Sequence, residues 1–160
     1  MTRAWIAAAA GIMLTAGAVQ PHEYQLKDLT IVHPWARPTA GPNKMGAAYL
    51  AIKNNGQESD TLESASTPDA SKAQIHETTN ANGVMKMRPV EGGLKIAPGQ
   101  TVEFKPGSYH IMLMGLKQNL KEGEQIPLKL TFAHAGSLDV EVKIEKQQEP
   151  EAAGRHSAMH

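Results

Sequence analysis

Two histidines and two methionines between residues 76 and 112 could together bind a metal ion, judged from their side-chain types and their spacing. The order is His76, ten residues, Met87, twenty-two residues, His110, one residue and Met112. Thioether sulfur is a soft neutral donor that suits Cu(I), and imidazole binds copper broadly. A set without carboxylates disfavours Ca²⁺ and Mg²⁺, and thioethers are not ligands of structural zinc. The chain has no Cys, which excludes a blue-copper centre because that centre needs a thiolate. We therefore expect a Cu(I) site.

The first half of this set is predicted to lie on a β-hairpin. Asn82-Gly83 is the strongest short hairpin signal, because a type I′ turn needs positive φ at both central residues. With this turn centre, His76 lies opposite Pro89, and Met87 is its diagonal neighbour about 7–8 Å away on the same face. Met85 shares that face, so strand geometry alone does not choose between Met85 and Met87.

The second half is predicted to lie on one strand. Pro106-Gly107 is a turn signal, and residues 109–114 follow as a strand-like run. Because side chains alternate across a strand, His110, Met112 and Met114 share one face. The same geometry does not choose between Met112 and Met114. Met85 and Met114 are interpreted as packing or rim residues, since methionine commonly fills gaps in cores.

The elements around this set predict an all-β sandwich in a single domain over residues 19–144. Short strands are separated by turn signals every 8–12 residues or so, and no helical period is evident. A first strand is expected over residues 26–32 and is expected to end at His33-Pro34-Trp35, because proline cannot extend a central ladder. The hairpin strands are expected over residues 73–77 and 84–89.

At these residues the chain resembles a known family. The four positions, within residues 75–77, 84–90 and 109–116, resemble the periplasmic copper chaperones of the PCuAC type, as do residues 33–39. The resemblance covers roughly residues 26–143. It implies a cupredoxin-like Greek-key fold and a Cu(I) site formed by His76, Met87, His110 and Met112. It also implies delivery of copper to the CuA centre in subunit II of cytochrome c oxidase, alongside Sco-type proteins.

The N-terminal segment, residues 1–18, reads as a secretory signal peptide. Arg3 supplies the positive region, an Ala-rich apolar run follows, and Ala16-Gly17-Ala18 fits the cleavage rule. The apolar run is shorter than the roughly 20 residues that a membrane-spanning helix needs. The absence of Cys also removes a lipoprotein anchor. We therefore expect a periplasmic protein without a stable membrane anchor.

Residues 145–160 form a polar, Pro-containing tail, a composition typical of disorder. Its end carries His156, Met159 and His160. One interpretation is a solvated tail without function. The other is a second, flexible copper-binding arm, where imidazoles would suit Cu(II).

Composition excludes several classes of function. The chain has 16 basic and 16 acidic residues and only 4% aromatic residues, which argues against binding nucleic acid or anionic membranes. Neither a Gly-x-Ser-x-Gly nor a His-Glu-x-x-His motif occurs, and four protein ligands leave no open position on a metal. We therefore expect no enzyme but a monomeric metallochaperone that binds Cu(I) reversibly. The alternative is periplasmic copper storage or detoxification, which the same ligands would serve.

Overall fold

The structure is a computed structural model that describes residues 23–146. Within these residues the chain forms eleven β-strands and no helix. The strands are β1 (Glu23–Leu26), β2 (Leu29–Ala36), β3 (Met45–Asn54), β4 (Asp60–Ser66), β5 (Ala70–Ala81), β6 (Val84–Pro89), β7 (Leu94–Ile96), β8 (Thr101–Glu103), β9 (Tyr109–Leu116), β10 (Gln125–Phe132) and β11 (Gly136–Ile144).

The strands form one continuous mixed sheet in the order β6-β5-β9-β3-β2-β11-β10-β4-β7, with β1 added on β2 and β8 on β3. All paired strands are antiparallel except β2 and β11, which are parallel. The sheet folds over on itself, so that β4 and β5 are in contact although they are not hydrogen-bonded neighbours in the sheet. This arrangement encloses one hydrophobic core and confirms the predicted all-β sandwich.

The core follows from the alternation of side chains along the strands. Strand β10 buries Ile126, Leu128, Leu130 and Phe132, and the residues between them are more exposed. A strand with apolar residues at every second position buries one face and presents the other. Strand β9 obeys the same rule at Ile111 and Leu113, which are fully buried in the core. Because Ile111 and Leu113 point into the core, the alternate residues of β9 lie on the face turned away from it.

The predicted end of the first strand at His33-Pro34-Trp35 was wrong. Strand β2 continues to Ala36 through a β-bulge, where the register with β3 shifts between Val32 and Trp35. His33 has a φ of 46° at this point. A bulge leaves a residue out of the ladder, so it accommodates a proline that has no N–H to donate.

The part of the chain that the structure describes contains no helix long and apolar enough to cross a membrane. Its last two residues contact the domain. Glu145 Oε1 lies 2.6 Å from His33 Nε2, and Lys146 Nζ lies 3.1 Å from Glu122 Oε2.

Candidate metal site

The turn between β5 and β6 has the predicted geometry. Asn82 has a φ of 55° and Gly83 a φ of 80°, and a type I′ turn requires positive φ at both positions. The Gly83 N–H also donates to Asn80 Oδ1 at 3.0 Å. The dipeptide therefore fixes the register of the whole hairpin.

This register places Met87 near His76. His76 lies opposite Pro89, as predicted, and Met87 lies opposite Thr78 on the adjacent pair of the same face. Met85 lies opposite Asn80, one pair further toward the turn. Thus the two methionines share a face, but Met87 is the nearer to His76.

Strand β9 brings the second histidine to the first. His76 on β5 lies opposite His110 on β9, and the centroids of the two rings are 5.6 Å apart with an interplanar angle of 52°. His110 is only 4% exposed. Directly opposite residues of antiparallel strands lie on the same face, so both imidazoles are on the face of β9 turned away from the core.

Met112 lies beside this pair. It is half-buried and lies opposite Gln74 on β5 and Ala47 on β3. Met114 lies one pair further from the histidines, opposite Lys72 and Met45. The alternation predicted for β9 is confirmed, and the register brings Met112 closer than Met114 to His110.

A hydrogen bond orients each imidazole ring. His76 Nε2 lies 3.1 Å from Gln74 Oε1, and because an amide oxygen only accepts, Nε2 carries the proton. The ring of His110 hydrogen-bonds the backbone of Ser108. In a neutral imidazole, a donated bond from one nitrogen leaves the lone pair on the other. The two rings therefore have their remaining nitrogens ready as ligands.

Those remaining nitrogens have no partner. Within residues 23–146, Nδ1 of His76 and Nε2 of His110 are buried and make no hydrogen bond. A buried polar atom left without a partner costs about 1–3 kcal/mol. Metal-binding histidines commonly bond a backbone or side-chain oxygen through the other nitrogen. A metal ion would supply the missing partners, so the residues fit a metal site.

The protonation equilibria favour the neutral ligands. Burial lowers the pKa of His76, and the nearby positive charge of Lys72 lowers it further. Burial also lowers the pKa of His110, and the charge of His76 adds to this, while the hydrogen bond to Ser108 acts in the opposite direction. Both imidazoles are therefore neutral at pH 7, the form that binds a metal.

Met87 differs from the other three positions in exposure. Its surface is 54% exposed on the hairpin, and that of Met85 is 57% exposed. The hairpin is also joined to the residue that precedes β9, by a hydrogen bond from Thr78 N–H to the Ser108 carbonyl at 3.0 Å. His76, His110 and Met112 thus form a compact group, and Met87 lies at its solvent-exposed side.

Sequence reasoning did not identify the two groups that orient the imidazoles. Gln74 could have been found, because it precedes His76 by two residues and therefore shares its strand face. Ser108 acts through its backbone, so its side-chain type carries no signal. The described residues contain no group of three or more His, Cys, Asp or Glu that could hold a metal.

Some sequence predictions lie outside the described residues. These are the signal peptide at residues 1–18 and the proposed tail ligands His156, Met159 and His160.

Comparisons with known proteins agree with this fold. Residues 29–144 match the family described as "Putative lipoprotein LpqE-like". A "Putative lipoprotein" of Leifsonia xyli is 33% identical over 133 residues, which cover 83% of this chain and 78% of the relative.

Solved structures that are similar to this one include the following two. The apo PCuAC domain from PmoF1 has a TM-score of 0.67 and 26% identity, over 79% of this chain and all of that domain. The solution structure of CuI-DR1885 from Deinococcus radiodurans has a TM-score of 0.55 and 30% identity, over 72% of this chain and 78% of that one. The predicted cupredoxin-like β fold is therefore confirmed, and the chain belongs to the LpqE-like family, which is the PCuAC family that its sequence resembles.

Proposed function

We propose that this protein is exported to the periplasm, binds Cu(I) reversibly and passes it to another protein. The proposed ligands are His76, Met87, His110 and Met112. The observation that carries the proposal is the pair of buried, unbonded imidazole nitrogens, Nδ1 of His76 and Nε2 of His110, with Met112 on the neighbouring residue pair of the same face.

The donor set determines the oxidation state. Two neutral thioethers and two neutral imidazoles suit soft, monovalent copper, whereas Cu(II) favours nitrogen and oxygen in a tetragonal arrangement. Thioethers bind without losing a proton, and both histidines are already neutral at pH 7 because their pKa values are lowered. Binding of Cu(I) at this pH would therefore release few protons.

The likeness to a copper-bound relative supports the same cargo. The structure of CuI-DR1885 is 30% identical to this chain with a TM-score of 0.55. The relative described as a putative lipoprotein supports export, because bacterial lipoproteins are carried across the cytoplasmic membrane before they are anchored.

The acceptor is proposed to be a thiolate-containing copper site, the CuA centre of cytochrome c oxidase subunit II, reached directly or through a Sco-type protein. Thiolate is a stronger ligand for soft copper than thioether, so transfer from this site to such an acceptor is favourable. Since four protein donors leave no open position for a substrate, the role is carriage rather than catalysis.

Anaerobic competition for Cu(I) against a chromogenic chelator tests the site. His76→Ala and Met112→Leu should each weaken binding by more than the roughly 10–100-fold that loss of an outer-shell partner costs. Met85→Leu is the matched control, because Met85 is as exposed as Met87 on the same strand face. Undiminished affinity in both ligand variants would refute the assigned site.

A deletion strain tests delivery separately from binding. If the protein supplies the oxidase, the strain loses cytochrome oxidase activity at low copper, and added copper restores it. Copper sensitivity with normal oxidase activity would instead indicate storage or detoxification.

A further inference from the structure

A second pair of thioethers lies on the same face of the sheet, beyond Met112. Met45 on β3 lies directly opposite Met114 on β9, so their Cβ atoms are about 4.5–5.5 Å apart. Met114 and Met112 are alternate residues of one strand, about 6–7 Å apart. We call Met45, Met114 and Met112 the thioether row.

Exposure falls along the thioether row toward the histidines. Met45 is 48% exposed, Met114 and Met112 are half-buried, and His110 is 4% exposed. The thioether row therefore leads from the solvent-exposed Met45 through Met114 to Met112, which lies on the same face of β9 as the buried His110.

Packing does not account for Met45. Its chain neighbour Gly46 lies on the core side of β3, where an added Cβ would meet Leu116 and Leu120 at 3.4 Å. Met45 points to the opposite face and leaves about half of its surface in water. Methionine usually fills gaps in cores, whereas this one fills none.

The positive charge of Lys72 limits how strongly Met45 and Met114 could bind a cation. Lys72 lies on the other side of Met114, opposite it on β5. Its ammonium group disfavours a bound cation, and because Lys72 is exposed, solvent and salt screen this repulsion. Two neutral sulfurs beside a cation make a weaker site than two imidazoles with two sulfurs.

We propose that Met45 and Met114 form a second, weaker site for a soft monovalent cation, through which Cu(I) reaches and leaves Met112. The copper stays monovalent throughout, and only its ligands are exchanged. The identity of the cargo rests on the proposed function, but binding by the methionine pair does not need the histidine site.

Ag(I) binding to full-length protein with ¹³C-labelled methionine methyls tests the pair alone. Ag(I) is a soft monovalent probe that does not change oxidation state. In a His76→Ala, His110→Ala background, the methyl resonances of Met45 and Met114 should shift together and saturate. Adding Met45→Leu should weaken the Met114 response at least tenfold, about 1.4 kcal/mol, whereas adding Met85→Leu should leave it unchanged.

The proposed Met45–Met114 site would be refuted if neither methyl resonance shifts. It would also be refuted if Met114 responds as strongly in the Met45→Leu variant as without it. If the double histidine variant does not fold, the second equivalent of Ag(I) added to the wild-type protein gives the same readout. If the pair responds but the wild type fails to bind Cu(I) through His76, the proposed function fails and the second site stands.

Transfer kinetics test the route to Met112. In an otherwise wild-type chain, Met45→Leu should slow both uptake and release of Cu(I) by the same factor, because the affinity of the main site is their ratio and does not change. Unaltered rates in this variant would overturn the route.

Discussion

His76 and His110 lie directly opposite each other on neighbouring antiparallel strands, with ring centroids 5.6 Å apart and one buried, unbonded nitrogen on each ring. Each ring is held by a hydrogen bond through its other nitrogen, to Gln74 or to Ser108. The two nitrogens proposed as ligands are therefore oriented without a metal, so that binding would not have to order them.

The first prediction concerns Gln74, whose amide oxygen fixes the tautomer of His76. Gln74→Ala should weaken Cu(I) binding about 10–100-fold, as is typical when the group that hydrogen-bonds a metal-binding histidine is lost. The loss of one hydrogen bond should change the free energy of unfolding by only about 0.5–1.5 kcal/mol. Cu(I) competition and urea unfolding measure the two quantities. Thr79→Ala, on the other face of β5, is the control, and equal affinity in the two variants would contradict the role of Gln74.

The second prediction concerns the hairpin turn. Gly83 has a φ of 80° and open space around an added Cβ, so Gly83→Ala introduces backbone strain of about 1–2 kcal/mol and no clash. Gly123→Ala is a matched control, because Gly123 has a φ of 89° with equally open surroundings but lies far along the chain from the site. Both variants should lose similar stability, and only Gly83→Ala should lose Cu(I) affinity, because it disturbs the strand that carries Met87. Equal affinities would show that the hairpin register does not matter for binding.

The third prediction concerns pH. Burial lowers the pKa of His76 and of His110 in the folded chain below the value of about 6.5 in the unfolded chain. Below this pH the unfolded state binds more protons, so stability falls as the pH drops from about 6.5 toward the folded pKa values. Urea unfolding of metal-free protein between about pH 5 and 8 measures this slope. A His76→Gln, His110→Gln variant should show a shallower slope, and an unchanged slope would contradict the assigned burial.

The fourth prediction concerns the tail. Truncation after Gly154 removes His156, Met159 and His160 and should abolish one Cu(II) equivalent while leaving Cu(I) affinity intact. Titration of both metals into full-length and truncated protein decides this. Unchanged Cu(II) stoichiometry would assign the tail no part in copper binding.

Local patterns were sufficient to predict the parts of the site that depend on local geometry. Asn82-Gly83 determined the pairing of His76 with Pro89, and alternation placed His110 and Met112 on one face of β9. The pairing of β5 with β9, which sets His76 against His110, joins strands that are distant in sequence. Such pairing depends on the packing of the whole sandwich, so no local pattern reveals it.

The bulge in β2 is a second feature that the local sequence pattern did not predict. A proline ends most central strands, and for that reason the sequence predicts a strand end at residues 33–35. The structure retains the strand because His33 adopts a left-handed conformation and Pro34 occupies the bulge, where no ladder hydrogen bond is lost. Strand alternation does not distinguish Met85 from Met87, because both lie on the same face, and the observed register adds only that Met87 lies one pair closer to His76.

X-ray absorption at the copper edge of the Cu(I)-loaded, full-length protein tests the central claim most directly. We expect the edge of monovalent copper with two nitrogen and two sulfur neighbours. Met87→Leu should remove one sulfur and His76→Ala one nitrogen, while Met85→Leu should leave the spectrum unchanged. A copper shell without sulfur, or a shell that these two ligand variants do not alter, would contradict the account.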